Sequence, residues 1–399
     1  MTPPAPRRSA PRSLAAGGRP LRVAFAVQGE GRGHLTQALA LAEMLRARGH
    51  DVAHVLVGAS PRRRVPDFFT AEIGAPVTAY ASPNFVADAT GRIRLGRTVA
   101  AGLRQAAALT PSLDTIGRVL DETEPDVIVN FFEGLMGAYA LLRGPAEPIV
   151  AVGHQFMFYH PAYPFISGHP IQKAATMAYT RLAGAGAVTR LALSFYDPAP
   201  HPGLTATPPL LRRQIRRLDG RTHDGSLLVY LMEPRMAEQL VAWSRRRPDV
   251  PVHCFSDVPP RTEGAVTFHA LSGTRFLEHM ARARGVVCTA GFESISEAMW
   301  LGKPVLMVPV PGHFEQRCNA GDAAAVGAGL ALGRLDLDAF MAYLDASEGL
   351  HPPRADAFRE WTACASDIAV GAIEKAARVF PAHAGDGALS APMPRLRAA

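Results

Sequence analysis

Apolar residues along this chain fall into two alternating periods. Residues 21–27 (LRVAFAV) make an apolar run of strand length, and from residue 35 the apolar positions 35, 38, 39, 41, 42 and 45 recur at helical spacing. Gly49 closes that helix, and residues 50–57 resume a strand-like run. Residues 125–132 (PDVIVNFF) and 148–153 read as further strands. The pattern restarts with strand 226–232, helix 234–246, strands 252–255 and 265–269, and helix 274–283. Strand 286–288, a turn of small residues, helix 294–301 and strand 303–310 follow, and Asn319 and Ala320 open another helical segment. Strands that are apolar throughout and alternate with helices predict parallel sheets covered on both faces, an α/β chain of Rossmann-like units.

The 399 residues suffice for two domains, each able to bury its own core. Residues 1–20, rich in Pro, Arg, Ser and Gly, read as a disordered leader; residues 21–196 form the first domain and 197–225 the connection. Residues 226–353 form the second domain, 354–380 a last helical stretch and 381–399 a disordered tail. Arg7 and Arg8 are not followed by the apolar stretch of about 7–15 residues that an export signal needs. Nor is there an apolar run of about 20 residues to span a bilayer. Apolar residues at 48% and charged residues at 19% describe a globular chain. Cys254, Cys288, Cys318 and Cys364 lack metal-ligand spacing and suit a reducing cytoplasm. The net charge of +7 suits phosphorylated substrates or an anionic membrane face, and by itself identifies neither.

Two turns carry candidate chemistry. The first, QGEGRGH, runs from Gln28 to His34, and its glycines at 29, 31 and 33 do not match the dinucleotide spacing. His34 opens the following helix, where an imidazole titrating near neutral pH can take a proton or simply serve the helix start. The second lies in GVVCTAGFESISEAMWLGKPVLMVPVPGHFEQRCNA, residues 285–320. Its small turn leads into a helix whose free N–H groups favour an anion, and Glu315 and Gln316 follow the next strand on the same sheet edge.

The second stretch resembles the donor motif of the GT-B glycosyltransferases, in particular glycosyltransferase family 28 and the UDP-glycosyltransferases: small turn, Ser, Glu-Ala, Gly-x-Pro, apolar strand, acidic residue with Gln, then Asn-Ala. The resemblance covers nearly all of the ordered chain and implies two Rossmann-like domains facing across a cleft. It places the diphosphate on Gly291, Phe292, Glu293 and Ser294, the ribose on Glu297, and the donor sugar on Glu315 and Gln316, with Asn319 close by. Where those transferases usually carry His-Cys-Gly-Trp, this chain has Cys288-Thr289-Ala290-Gly291, which removes one phosphate contact. GEGRGH likewise resembles their first turn, so His34 corresponds to the base that deprotonates the acceptor hydroxyl, with Gly31, Arg32 and Gly33 beside the acceptor. The implied reaction is inverting transfer from a nucleoside-diphosphate sugar, UDP-linked by resemblance, to a small-molecule, lipid or glycan acceptor. No metal, no further cofactor and no nucleic acid are involved. An epimerase of the same fold, or a non-catalytic nucleotide-sugar binder, would share the donor motif.

Further positions bear on the cleft. Glu133 ends strand 125–132 and either orients His34 or only favours a helix N-terminus. Family members often carry Asp near position 130, which here is Asn. His154 and Gln155 end strand 148–153 on the binding edge, and the aromatic segment 156–170 (FMFYHPAYPFISGHP) is suited to an acceptor lid. His154, His160 and His169 lack accompanying Cys or acidic ligands for a metal. Arg212, Arg213, Arg216 and Arg217 read either as a grip on phosphate or lipid or as a solvated helix face. Asp336 and Asp338 have the spacing of a metal-binding pair, but Asp338 reads as a helix N-cap. The expected location is the cytoplasm, including the inner face of the membrane.

Overall fold

The computed structural model describes residues 19–29, 31–60, 64–82, 109–230, 234–256, 259–347 and 355–380. The leader before residue 19, Glu30 of the first turn and the tail from residue 381 lie outside the described residues. Strands β1 (Arg22–Gln28), β2 (Asp51–Ala59), β3 (Val77–Ala81), β4 (Val127–Phe131), β5 (Ile149–Gly153), β6 (Ala187–Leu193) and β7 (Thr205–Thr207) build one sheet in the order β3-β2-β1-β4-β5-β6-β7. All of its pairings are parallel. Its helices are α1 (Gly33–Ala47), α2 (Asp67–Glu72), α3 (Thr110–Thr123), α4 (Gly134–Arg143) and α5 (Pro170–Ala183). After α6 (Arg213–Arg216) come β8 (Leu227–Tyr230), α7 (Pro234–Ser244), β9 (Val252–Phe255), β10 (Arg261–Glu263), β11 (Val266–His269) and α8 (Gly273–Arg282). Then follow β12 (Gly285–Cys288), α9 (Phe292–Trp300), β13 (Val305–Met307), α10 (Phe314–Ala325), β14 (Gly329–Ala331), α11 (Leu337–Ser347), α12 (Ala355–Ala363) and α13 (Ala365–Val379). The second sheet runs β10-β11-β9-β8-β12-β13-β14, with β10–β11 its antiparallel pair.

Both faces of each sheet are covered, which explains the continuous apolar strands. In β1, Val23, Phe25 and Val27 join a core with α1 and α13, whereas Ala24 and Ala26 join α3 and α4. In the second sheet Val286 and Cys288 face α8 and α9, and Val229 and Val287 face α7 and α11. Among the described residues no helix is long and apolar enough to cross a membrane.

Four readings of the pattern change. Thr205–Thr207, inside the expected connection, pairs with β6 as the last strand of the first sheet. The stretch expected as one final helix is two; α13 packs on α1, β4, β6 and β7, returning the chain to the first domain. Segment 156–170 is not an open lid. Phe156, Phe158 and Tyr163 are buried, and they pack with Phe314 and Cys318 of α10 in a core shared by both domains. The helix at 337–347 is capped by Asp336, whose Oδ1 accepts from the Ala339 N–H at 3.0 Å. Asp338 instead accepts from Trp243 Nε1 at 2.7 Å, so the two carboxylates do not act as a pair.

Candidate functional site

The two candidate turns face each other. Two strand-to-helix turns of the site contain a non-glycine residue in the left-handed region, the one after β4 at Phe132 (φ 56°) and the one after β12 at Ala290 (φ 59°). Such conformations cost about 1–3 kcal/mol and persist only where neighbours hold them. Asn130 holds the first: its Oδ1 accepts from the Glu133 N–H at 2.8 Å, and its Nδ2 donates to the Glu133 and Ala183 carbonyls. Asn130 therefore has a backbone-pinning role. Asn319 of α10 does the same for the second turn, its Nδ2 donating to the Ala290 carbonyl at 3.2 Å. Gly29 lets the turn after β1 close: its N–H donates to Gly58 O at 2.9 Å, and a Cβ there would stand 2.3 Å from the same oxygen.

Gly291 is the N-cap of α9, with no side chain to cap the helix, and a Cβ added to it would meet nothing within 4 Å. The neighbouring helices differ, α8 being capped by Ser272 and α10 by His313. The start of α9 thus offers open N–H groups, the positive end of the helix and room for an anion. Ser294 lies half-buried in its first turn. The Phe292 ring stacks on His154 at 4.3 Å and lies tilted against Phe195 at 4.5 Å.

On the first-domain side, Gly31 (φ 85°) and Arg32 lead into α1, with the Arg32 guanidinium 5.7 Å above the Phe68 ring. A Cβ on Gly33 would lie 3.4 Å from Glu293 Cγ, so the glycine lets α1 approach α9 closely. His34 is half-buried and stacks on Phe132 at 5.7 Å. Its Nδ1 lies 3.2 Å from Gln37 Oε1, while Gln37 Nε2 donates to Glu293 Oε1 at 2.7 Å. That orientation of the Gln37 amide puts the imidazole proton on Nδ1 and leaves the lone pair on Nε2. Burial lowers the His34 pKa below 6.5, opposed by the charge of Glu315 and the Gln37 hydrogen bond. The ring is accordingly neutral at neutral pH, as a base must be. Burial also pushes Glu293 up to about 8, so this carboxyl is largely protonated beside the proposed anion site.

Other candidates occupy different surroundings from those expected. Glu133 is fully buried; its Oε1 accepts from Ser82 Oγ at 2.6 Å and from the Leu135 N–H at 3.0 Å, which makes it the N-cap of α4. Among the described residues the hydrogen bond of His34 runs to Gln37, not to Glu133. Glu297 is 3% exposed and accepts from Arg212 Nη2 at 2.7 Å, so it faces a buried guanidinium where ribose contact was expected. Of the arginine run, Arg213, Arg216 and Arg217 are exposed and Arg212 alone is buried. His154 is buried against Phe292, with Nδ1 2.7 Å from Leu193 O; it is a core histidine, not an acceptor-facing one. Burial pushes it down to about 4, and pushes Asp322, 4.0 Å away, up to about 7. Gln155 Nε2 crosses the cleft to Glu315 Oε1 at 3.0 Å. Gln316 Oε1 accepts from the Val310 N–H at 2.9 Å and so pins the loop before α10.

Sequence reasoning missed Gln37 and a group of three histidines, and it named Arg212 without its partner Glu297. Nothing in local pattern marked Gln37, one of several polar residues on α1, as the link between domains. His253, His269 and His279 are the one group of three or more His, Cys, Asp or Glu side chains among the described residues spaced to hold a metal. His160 instead faces the Ala199 carbonyl, apart from His154.

Comparison with known proteins identifies the family and the fold. The sequence model of glycosyl transferase family 1 matches residues 21–346. A UDP-N-acetylglucosamine–N-acetylmuramyl-(pentapeptide) pyrophosphoryl-undecaprenol N-acetylglucosamine transferase from Methylobacterium nodulans is 27% identical over 328 residues, 77% of this chain and 81% of that protein. An uncharacterized glycosyltransferase of Methanosarcina acetivorans is 23% identical over 330 residues, 75% of this chain and 80% of that one. Among solved structures, the glycotransferase of kitacinnamycin is similar with a TM-score of 0.62 at 18% identity, covering 90% of this chain and 100% of its own. MurG of Acinetobacter baumannii gives 0.53 at 15% identity, covering 89% and 100%. With two largely parallel, helix-covered sheets and a family match over most of its length, this chain belongs to glycosyl transferase family 1 and is a glycosyltransferase of the GT-B fold.

Proposed function

We propose that the protein transfers a sugar, with inversion and without a catalytic metal, from a UDP-sugar to a hydroxyl of a small-molecule or lipid-linked acceptor. The observation that carries this reading is the pairing of a neutral, tautomer-defined His34 on one domain with the uncapped start of α9 on the other. The donor diphosphate lies against the N–H groups from Gly291 to Ser294, where the helix dipole stabilises the charge that builds as the glycosidic bond breaks. Glu293, neutral at pH 7, adds no repulsion there. Glu315 and Gln316 flank the sugar at the start of α10, next to Gln155.

His34 Nε2 takes the acceptor proton as the oxygen attacks the anomeric carbon from the face opposite the departing diphosphate, which inverts that carbon. The imidazolium that forms is stabilised by the nearby Glu315 charge. Gln37 holds the tautomer, one of the two roles weighed for Glu133. The Methylobacterium relative, named for transfer to a pyrophosphoryl-undecaprenol compound, favours a lipid-linked acceptor, met at the cytoplasmic membrane face.

The test is His34→Ala in single turnover, after a donor-hydrolysis screen over nucleotide-sugars has identified the donor. Nucleotide affinity should stay unchanged while transfer slows by about 10²–10⁴-fold, the usual worth of a general base. The acid limb of the wild-type pH–rate profile, set below pH 6.5 by the lowered His34 pKa, should vanish. A variant with wild-type transfer and an intact acid limb would remove His34 from the chemistry.

A further inference from the structure

His253, His269 and His279 come from three elements of the second domain. His253 on β9 and His269 on β11 lie on the same face of the sheet, since His253 pairs with Thr267, two residues before His269. His279 descends from α8, which covers that face. The three rings are in mutual contact, with centroids 4.1, 4.9 and 5.3 Å apart. One nitrogen from each lies within 4.8 Å of the others, and His253 Nδ1 is 3.1 Å from His269 Nε2. Nitrogens bound to one tetrahedral zinc at about 2.0–2.1 Å stand about 3.4 Å from each other, so small ring rotations complete the set.

We propose that these three histidines form a binding site for a divalent transition metal of the zinc class, separate from the transfer chemistry, which ties α8 to the sheet. Imidazole nitrogens select such ions over magnesium or calcium, which prefer oxygen. Three ligands leave one position for water, and His253 and His279 are half-buried, so an ion can enter. Asp224 is near enough to favour positive charge on His253 and His279, and it favours a bound cation for the same reason. Arg275, whose Nη2 lies 3.4 Å from His269 Nδ1, opposes it. Arg275 is exposed and can turn to solvent as that nitrogen takes up the imidazole proton on metal binding.

Untagged full-length protein, stripped with chelator, should bind one equivalent of zinc by calorimetry. Its Tm should rise by about 5–10 °C in zinc at about 100 times the Kd. Cobalt(II) added to the same protein should give the intense visible bands of a tetrahedral site, a readout that needs no variant. Both His253→Ala and His279→Ala should weaken zinc binding by at least about tenfold, while magnesium should bind neither wild type nor variants. Absence of zinc uptake, an octahedral cobalt spectrum, or undiminished uptake in both variants would overturn the proposal.

Discussion

Removing the carboxylate of Glu297 separates two roles that the residue could have. In the structure its Oε1 accepts from Arg212 Nη2 at 2.7 Å, with the two side chains 4% and 9% exposed. Glu297→Ala would leave the guanidinium buried without its counter-charge. Breaking one half of a buried pair costs about 3–5 kcal/mol. At about 2–4 °C per kcal/mol for domains of this size, Tm should fall by about 6–20 °C. A cleft-facing carboxylate that only held ribose would leave Tm unchanged. The double variant Arg212→Met/Glu297→Met, with neither charge stranded, should recover most of the loss. Calorimetry of a nucleoside diphosphate on that stable double variant then isolates ribose binding. A charge-assisted hydrogen bond is worth about 1.5–3 kcal/mol, or about ten- to 150-fold in Kd. A Glu297→Ala protein melting within about 1 °C of wild type would refute the pairing argument.

Two other outcomes follow from the site. Because Glu293 titrates near 8, wild-type affinity for the nucleoside diphosphate should weaken above that pH by up to about tenfold per unit, as the carboxyl ionises beside the phosphates. Glu293→Gln keeps a neutral side chain facing Gln37, so its affinity should stay flat from pH 7 to 9, and matching profiles for the two proteins would place the diphosphate elsewhere. Transfer should persist in excess chelator, measured below the melting temperature of metal-stripped protein. A complete loss restored only by magnesium or manganese would refute phosphate binding by helix N–H groups alone.

The alternation of apolar strands with amphipathic helices was enough to determine two largely parallel sheets, because strands buried on both faces are mostly apolar and parallel neighbours need a crossover connection, usually a helix. The turns at residues 28–34 and 289–294 were legible for a related reason: close approach, positive φ and open helix ends need small residues at fixed places. What the side chains in those turns touch was decided by tertiary structure. Glu297 became a partner of Arg212 and His154 a core histidine, since each contact depends on elements far apart in sequence, whereas Glu133 caps α4 through a contact only two residues long, the helix-start role its place in the chain had offered. Gln37 meets Glu293 across 256 residues, and no local periodicity encodes such a meeting. The short β7 and the three histidines were hidden likewise: a three-residue strand has no period of its own, and His253, His269 and His279 become neighbours only when β9, β11 and α8 pack.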